Sequence, residues 1–211
     1  MKRIKQAIIN NDKETSVELA LTMLENGEID VVSLYQDVLA PALVDIDGCT
    51  EDEAKCIWIE HIRTNIVRTI IEAAYVYVVK SVKENNVKPL NKKALIVCPT
   101  EEYHEIGARM ATDFLMLCGY EVKYIGANTP LEVIVSAVKV EAPDVLAVSV
   151  TNLYHLSAAK HMIEEVKALM PDIKIYAGGQ AFSSPKTKEV IKPDRILFSF
   201  EDFLEASKEE N

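Results

Sequence analysis

One loop holds the densest set of chemically capable side chains, Pro99-Thr100-Glu101-Glu102-Tyr103-His104-Glu105-Ile106-Gly107, in which a histidine is flanked by carboxylates. A histidine so placed can be a general base, a metal ligand or a solvated side chain. Its pKa lies near neutrality, and a carboxylate on one ring nitrogen raises the basicity of the other. Zinc fits poorly: it takes three or four protein ligands at compatible spacing, and His61, His155 and His161 form no ligand motif with His104. A serine nucleophile is equally weak, since Ser149 lacks the G-x-S-x-G strand-turn-helix context. Gly178-Gly179 alone is no phosphate loop, because no G-x-G-x-x-G follows the first apolar run. The residues by themselves point to a ligand-binding domain with a functional His104, against the rival of a solvated loop histidine.

Two kinds of element must position that loop. From residue 1 to about 86 the apolar residues recur at helical spacing, interrupted by Gly27, Pro41 and Gly48. Val17 to Leu24 predict a helix ended by Asn26-Gly27, and Val31 to Val44 predict a second that Pro41 kinks. A third runs from the capping box Thr50-Glu51-Asp52-Glu53 to Asn85-Asn86; at about 35 residues it would be ~50 Å long. After the polar linker at 84–89, short β-branched runs at 94–98, 121–125, 145–150, 173–177 and 195–200 alternate with amphipathic segments. The predicted fold class is α + α/β: an N-terminal helical bundle over residues 1–88, then a Rossmann-like (flavodoxin-like) five-stranded parallel sheet over 89–211. In the strand order 2-1-3-4-5 a ligand lies beyond the C-terminal ends of the first and third strands. The loops there are the His104 loop and Ser149-Val150-Thr151-Asn152, with Gly178-Gly179-Gln180 following the fourth strand.

Composition narrows the partners. Lys and Arg total 23 against 33 Asp and Glu, a net charge of -10, which argues against holding nucleic acid by phosphate neutralisation. No run reaches the ~18 uninterrupted apolar residues of a membrane span, so a cytoplasmic protein without membrane contact is expected. Cys49, Cys56, Cys98 and Cys118 show no C-x-x-C spacing and read as reduced, core-packed thiols.

Taken together, the loops resemble a known family. Glu102-x-His104-x-x-Gly107, then 41 residues, Ser149-x-Thr151, then 26 residues, and Gly178-Gly179 are similar to the cobalamin-binding signature D-x-H-x-x-G, S-x-L, G-G. The helical half resembles the cap that precedes this domain in methionine synthases, corrinoid methyl carriers and cobalamin-dependent photoreceptor regulators. The resemblance implies cobalamin (its methyl, adenosyl or hydroxo form left open) bound with His104 in place of dimethylbenzimidazole as the lower cobalt ligand, the displaced nucleotide tail lying in the α/β domain. One axial ligand suffices because a corrin already supplies four nitrogens. The implied contact set is Glu102, Tyr103, His104, Glu105, Ile106 and Gly107 in the first loop, Ser149, Thr151 and Asn152 in the second, and Gly178, Gly179 and Gln180 in the third. Glu102 would fix the tautomer of His104, with Ser149 as the next link, and the glycines would leave room for the corrin and its tail.

Two positions depart from the signature. Glu102 replaces Asp, so a looser or water-mediated contact with His104 is expected, and Thr151 replaces Leu on the tail channel. The Glu form, with Tyr124-Ile125-Gly126-Ala127-Asn128-Thr129-Pro130, is nearer to the photoreceptor and sensor branch. In the long helix Trp58, Glu60 and His61 resemble the residues of that branch's cap which shield the upper axial group, although Thr50 and Glu51 stand where it has a Trp and a His. The expected function is a cobalamin-binding sensor or regulatory module, not an enzyme by itself, acting through a protein partner or a second copy of the chain. The alternative is the methyl-carrying corrinoid subunit of a methyltransferase system, with a methyltransferase as partner.

Overall fold

The computed structural model describes residues 1–44 and 53–210. The chain forms two compact units, Met1–Lys83 and Glu84–Asn211.

The first unit is helical: α1 (Lys2–Ile9), α2 (Lys13–Glu25), α3 (Val31–Ser33), a π-helical stretch Leu34–Leu39, α4 (Ala40–Val44) and α5 (Glu53–Glu84). Asp12 and Asp30 start α2 and α3 by accepting from the amides of Thr15 (3.1 Å) and Ser33 (2.7 Å), satisfying donors that a helix start leaves open. A π-helical stretch, Leu34–Leu39, stands just before Pro41, whose missing N–H removes one rung of the helical hydrogen-bond ladder. On α5, Ile66, Val67, Ile70, Ile71, Ala74 and Val78 are buried at i, i+3, i+4 spacing, with Ile4, Ile8, Leu34, Tyr35 and Leu39 completing the core of this unit. Arg63 is buried too and donates to the Ile9 carbonyl (3.1 Å). The predicted capping box at Thr50 lies outside the described residues. Cys56 corrects the expectation of reduced thiols, being disulfide-bonded; Cys98 and Cys118 are free and buried. No described helix is long and apolar enough to cross a membrane.

The second unit carries β1 (Lys93–Pro99), α6 (Ile106–Leu117), β2 (Glu121–Thr129), α7 (Leu131–Glu141), β3 (Val145–Ser149), α8 (Leu156–Leu169), β4 (Lys174–Gly178), α9 (Pro185–Val190), β5 (Arg195–Ile196) and α10 (Phe200–Lys208). The strands are parallel in the order β2-β1-β3-β4-β5, the predicted Rossmann-like arrangement. Every residue of β3 and nearly all of β1 are buried, as strands covered on both faces require. Leu95, Val97, Leu146, Val148 and Ile175 pack with Ile134, Val138, Met162 and Val166 of the helices on one side. The last strand is shorter than predicted: Ser199 and Asp202 form a capping box that starts α10, ending strand geometry after two residues.

Candidate functional site

β1 and β3 are neighbours whose following segments diverge, so the crevice lies beyond Pro99 and Ser149. The His104 loop enters it and is fastened from β2. Glu101 is left-handed at φ 69°, and its amide donates to Oδ1 of Asn128 (2.8 Å). Asn128, itself at φ 48°, donates its own amide to the Glu102 carbonyl (2.8 Å). The Thr100 hydroxyl adds a bond to the Thr129 carbonyl (3.3 Å). The role of Asn128 was not foreseen from sequence, although asparagine's tolerance of left-handed backbone and its short acceptor side chain are the signal for it.

Glu102 turns inward and is fully buried. Its Oε1 accepts from the His104 amide (3.0 Å) and lies 2.5 Å from His104 Nδ1. Its Oε2 accepts from the amides of Thr151 (2.8 Å) and Asn152 (3.0 Å) and lies 3.2 Å from His155 Nδ1. Burial pushes this carboxyl up, but the His104 ring and the amides of Asn152, His104 and Thr151 outweigh burial and hold it down at about 2. The carboxylate is therefore an acceptor at neutral pH. It fixes the proton of His104 on Nδ1, which leaves the ring's lone pair on Nε2. The expectation of a looser contact is corrected: the extra methylene of Glu brings a short, direct bond and lets the second oxygen reach amides on the neighbouring loop. Ser149 as the next link is also corrected, since the partners of Oε2 are the two amides and His155. Ser149 instead lies beneath Gly107, its hydroxyl 3.7 Å from where a Cβ at that glycine would stand.

The remaining expected contacts divide. His104, Thr151, Asn152 and Gln180 line one groove of about 760 Å³ together with Leu153, Tyr154, Ser183 and Ser184. Tyr103 is exposed, and Tyr154 is 90% exposed on the groove wall. Glu105 accepts from the Tyr124 hydroxyl (3.0 Å) and pairs with Arg109 (3.2 Å), fastening the start of α6 to β2. Ile106 is buried. Burial pushes the nearby Cys98 thiol up to about 12, which leaves it no nucleophile. Gly178 and Gly179 are demanded by the fold itself. A Cβ would meet the Leu197 carbonyl at 2.9 Å and the Val150 carbonyl at 2.4 Å, and Gly179 is at φ 94°. Gly107 differs: nothing of the protein but Ser149 comes near the space a Cβ would fill, and the residue is exposed in the first turn of α6. Trp58, Glu60 and His61 lie in α5 of the other unit, where Trp58 is 50% exposed.

Among the described residues no group of three His, Cys, Asp or Glu is placed to hold a bare ion, yet one oriented imidazole stands at an open groove beside an unfilled glycine surface. The B12-binding domain family matches residues 92–207, more than half of the sequence. The chain belongs to this family. Its cofactor is cobalamin, and the B12-binding domain is the α/β unit just described. The fold of the whole chain is similar to that of the monomethylamine corrinoid protein of Methanosarcina barkeri, at 19% identity and a TM-score of 0.80, covering 98% of this chain and 95% of that one. It is also similar to a cobalamin-binding protein from Desulfitobacterium hafniense DCB-2, at 16% identity and a TM-score of 0.52, covering 99% and 97%. No curated protein matches the sequence.

Proposed function

We propose that this B12-binding protein holds its corrinoid with His104 Nε2 as the lower cobalt ligand and serves as a methyl-carrying subunit for separate methyltransferases. The observation that carries the first part is the 2.5 Å contact between buried Glu102 and His104 Nδ1, which orients one imidazole and raises its basicity. When bound, the corrinoid supplies a cobalt centre able to accept and release a methyl group. The protein's own residues do the holding. Glu102 fixes the His104 tautomer, Asn128 fixes the loop, and the groove between Thr151–Tyr154 and Gln180–Ser184 offers amide and hydroxyl groups to the nucleotide tail. In the carrier reading the substrate chemistry belongs to the partner methyltransferases. The likeness over both units to the monomethylamine corrinoid protein supports the carrier reading.

The sensor reading has one specific observation in its favour: Glu60 and His61 are adjacent on α5, one turn from the half-exposed Trp58. Two experiments on the cobalamin-loaded protein separate the readings. A carrier, once reduced, is methylated by a methyltransferase encoded beside it, giving the methylcobalamin absorption spectrum, and keeps its oligomeric state when the adenosylcobalamin form is illuminated. A light-dependent change of oligomeric state without enzymatic methylation overturns the carrier reading.

A further inference from the structure

We propose that His155, and not Ser149, is the second positioning residue of the lower ligand, acting on His104 through Glu102. The proposal rests on the reading of His104 as that ligand. One carboxylate bridges two imidazoles: Oε1 holds Nδ1 of His104 and Oε2 lies 3.2 Å from Nδ1 of His155. His155 is held in place by its backbone. It ends the short turn Leu153–His155, where the Asn152 side chain accepts from the Tyr154 amide (3.1 Å) and the His155 amide donates to the Asn152 carbonyl (3.0 Å). Its side chain is 16% exposed, so the ring is packed beside the carboxylate.

The donors on Oε2 all come from one stretch, 151–155. Two are main-chain amides that most residues would supply there, so the imidazole is the contribution that depends on side-chain identity. With Glu102 ionised, each Nδ1 carries a proton, since an unprotonated ring nitrogen at these distances would set its lone pair against those of the carboxylate. His155 then stops the carboxylate from rotating about its last bond and keeps Oε1 on Nδ1 of His104. It performs the task that the sequence pattern gave to Ser149, whose hydroxyl sits under Gly107. Because Leu153 and Tyr154 on the same turn line the groove, the residue couples the wall of the ligand site to the group that orients the ligating histidine.

The test compares wild type with His155→Phe, His155→Asn and Ser149→Ala. Phe keeps ring volume without the donor, and Asn places an amide nitrogen near the position of Nδ1. In the ¹⁵N-labelled apoprotein, long-range ¹H–¹⁵N spectra report the His104 tautomer. We expect the Nδ1–H form in wild type, S149A and H155N, and a several-fold rise of the Nε2–H form in H155F. In the cob(II)alamin-loaded protein, H155F loses about tenfold in the equilibrium between bound and dissociated His104, the low end of the range for partners of a metal-ligating histidine, and H155N restores it. A wild-type tautomer in apo H155F, or a shift in S149A in its place, overturns the proposal. Absence of imidazole splitting in the wild-type EPR spectrum instead removes the reading of His104 as ligand, while the apoprotein tautomers still decide the role of His155.

Discussion

Nδ1 of His104 lies 2.5 Å from Oε1 of Glu102, a side chain with no exposure to solvent. A buried carboxylate normally favours its neutral form; here five donors on two oxygens reverse that preference, and the imidazole so gripped keeps its lone pair on Nε2, the atom proposed to ligate cobalt.

The grip has an acid signature. The carboxyl of Glu102 is held at about 2 against an ordinary 4.5, so the folded state binds its proton less readily than the unfolded chain. The stabilisation is complete above pH ~4.5 and is lost as pH falls from there towards ~2, amounting to about 3 kcal/mol. In urea unfolding of the apoprotein across this range, wild type is expected to lose stability that Glu102→Gln never had. Parallel pH profiles would contradict this.

Gly107 and Gly179 separate ligand fit from fold. Gly107→Ala adds a methyl that meets only Ser149 at ordinary van der Waals distance, so the apoprotein keeps its stability or gains up to ~1 kcal/mol from helix propensity. We expect cobalamin binding, followed by absorbance titration, to weaken nonetheless. Gly179→Ala places a Cβ 2.4 Å from the Val150 carbonyl at a left-handed φ and should lower the melting temperature outright. An equal loss of stability in both variants would sink the distinction.

Asn128 is the latch of the loop. Asn128→Gly keeps the left-handed backbone but removes the acceptor for the Glu101 amide, at a cost of about 1 kcal/mol. Hydrogen exchange of the Glu101 amide should accelerate while the amides of β3 stay protected. Unchanged exchange at Glu101 would show that the loop is held by other contacts.

The sheet and its order were legible because β-branched runs buried on both faces leave an unambiguous pattern, and His104 stood out because few residue types can ligate a metal. What the sequence concealed depended on reach and on local competition. The length of Glu102 read as slack, whereas it carries the second oxygen across to the amides of Thr151 and Asn152. His155 showed no ligand motif with His104, and its tie to Glu102 spans 53 residues. The β-branched run at 195–200 hid the capping box of Ser199 and Asp202, which wins locally and starts α10. Gly178-Gly179 read as room for a ligand, but the carbonyls of Leu197 and Val150 already require those glycines.

The most direct test of the account is the EPR spectrum of the protein loaded with cob(II)alamin, recorded for wild type and for His104→Ala. A single imidazole nitrogen on the lower face of the cobalt splits each cobalt line into three in the wild type, and the splitting is expected to vanish in the variant while the corrinoid stays in the protein. Identical splitting in both proteins would contradict the assignment of His104 and, with it, the role given to Glu102.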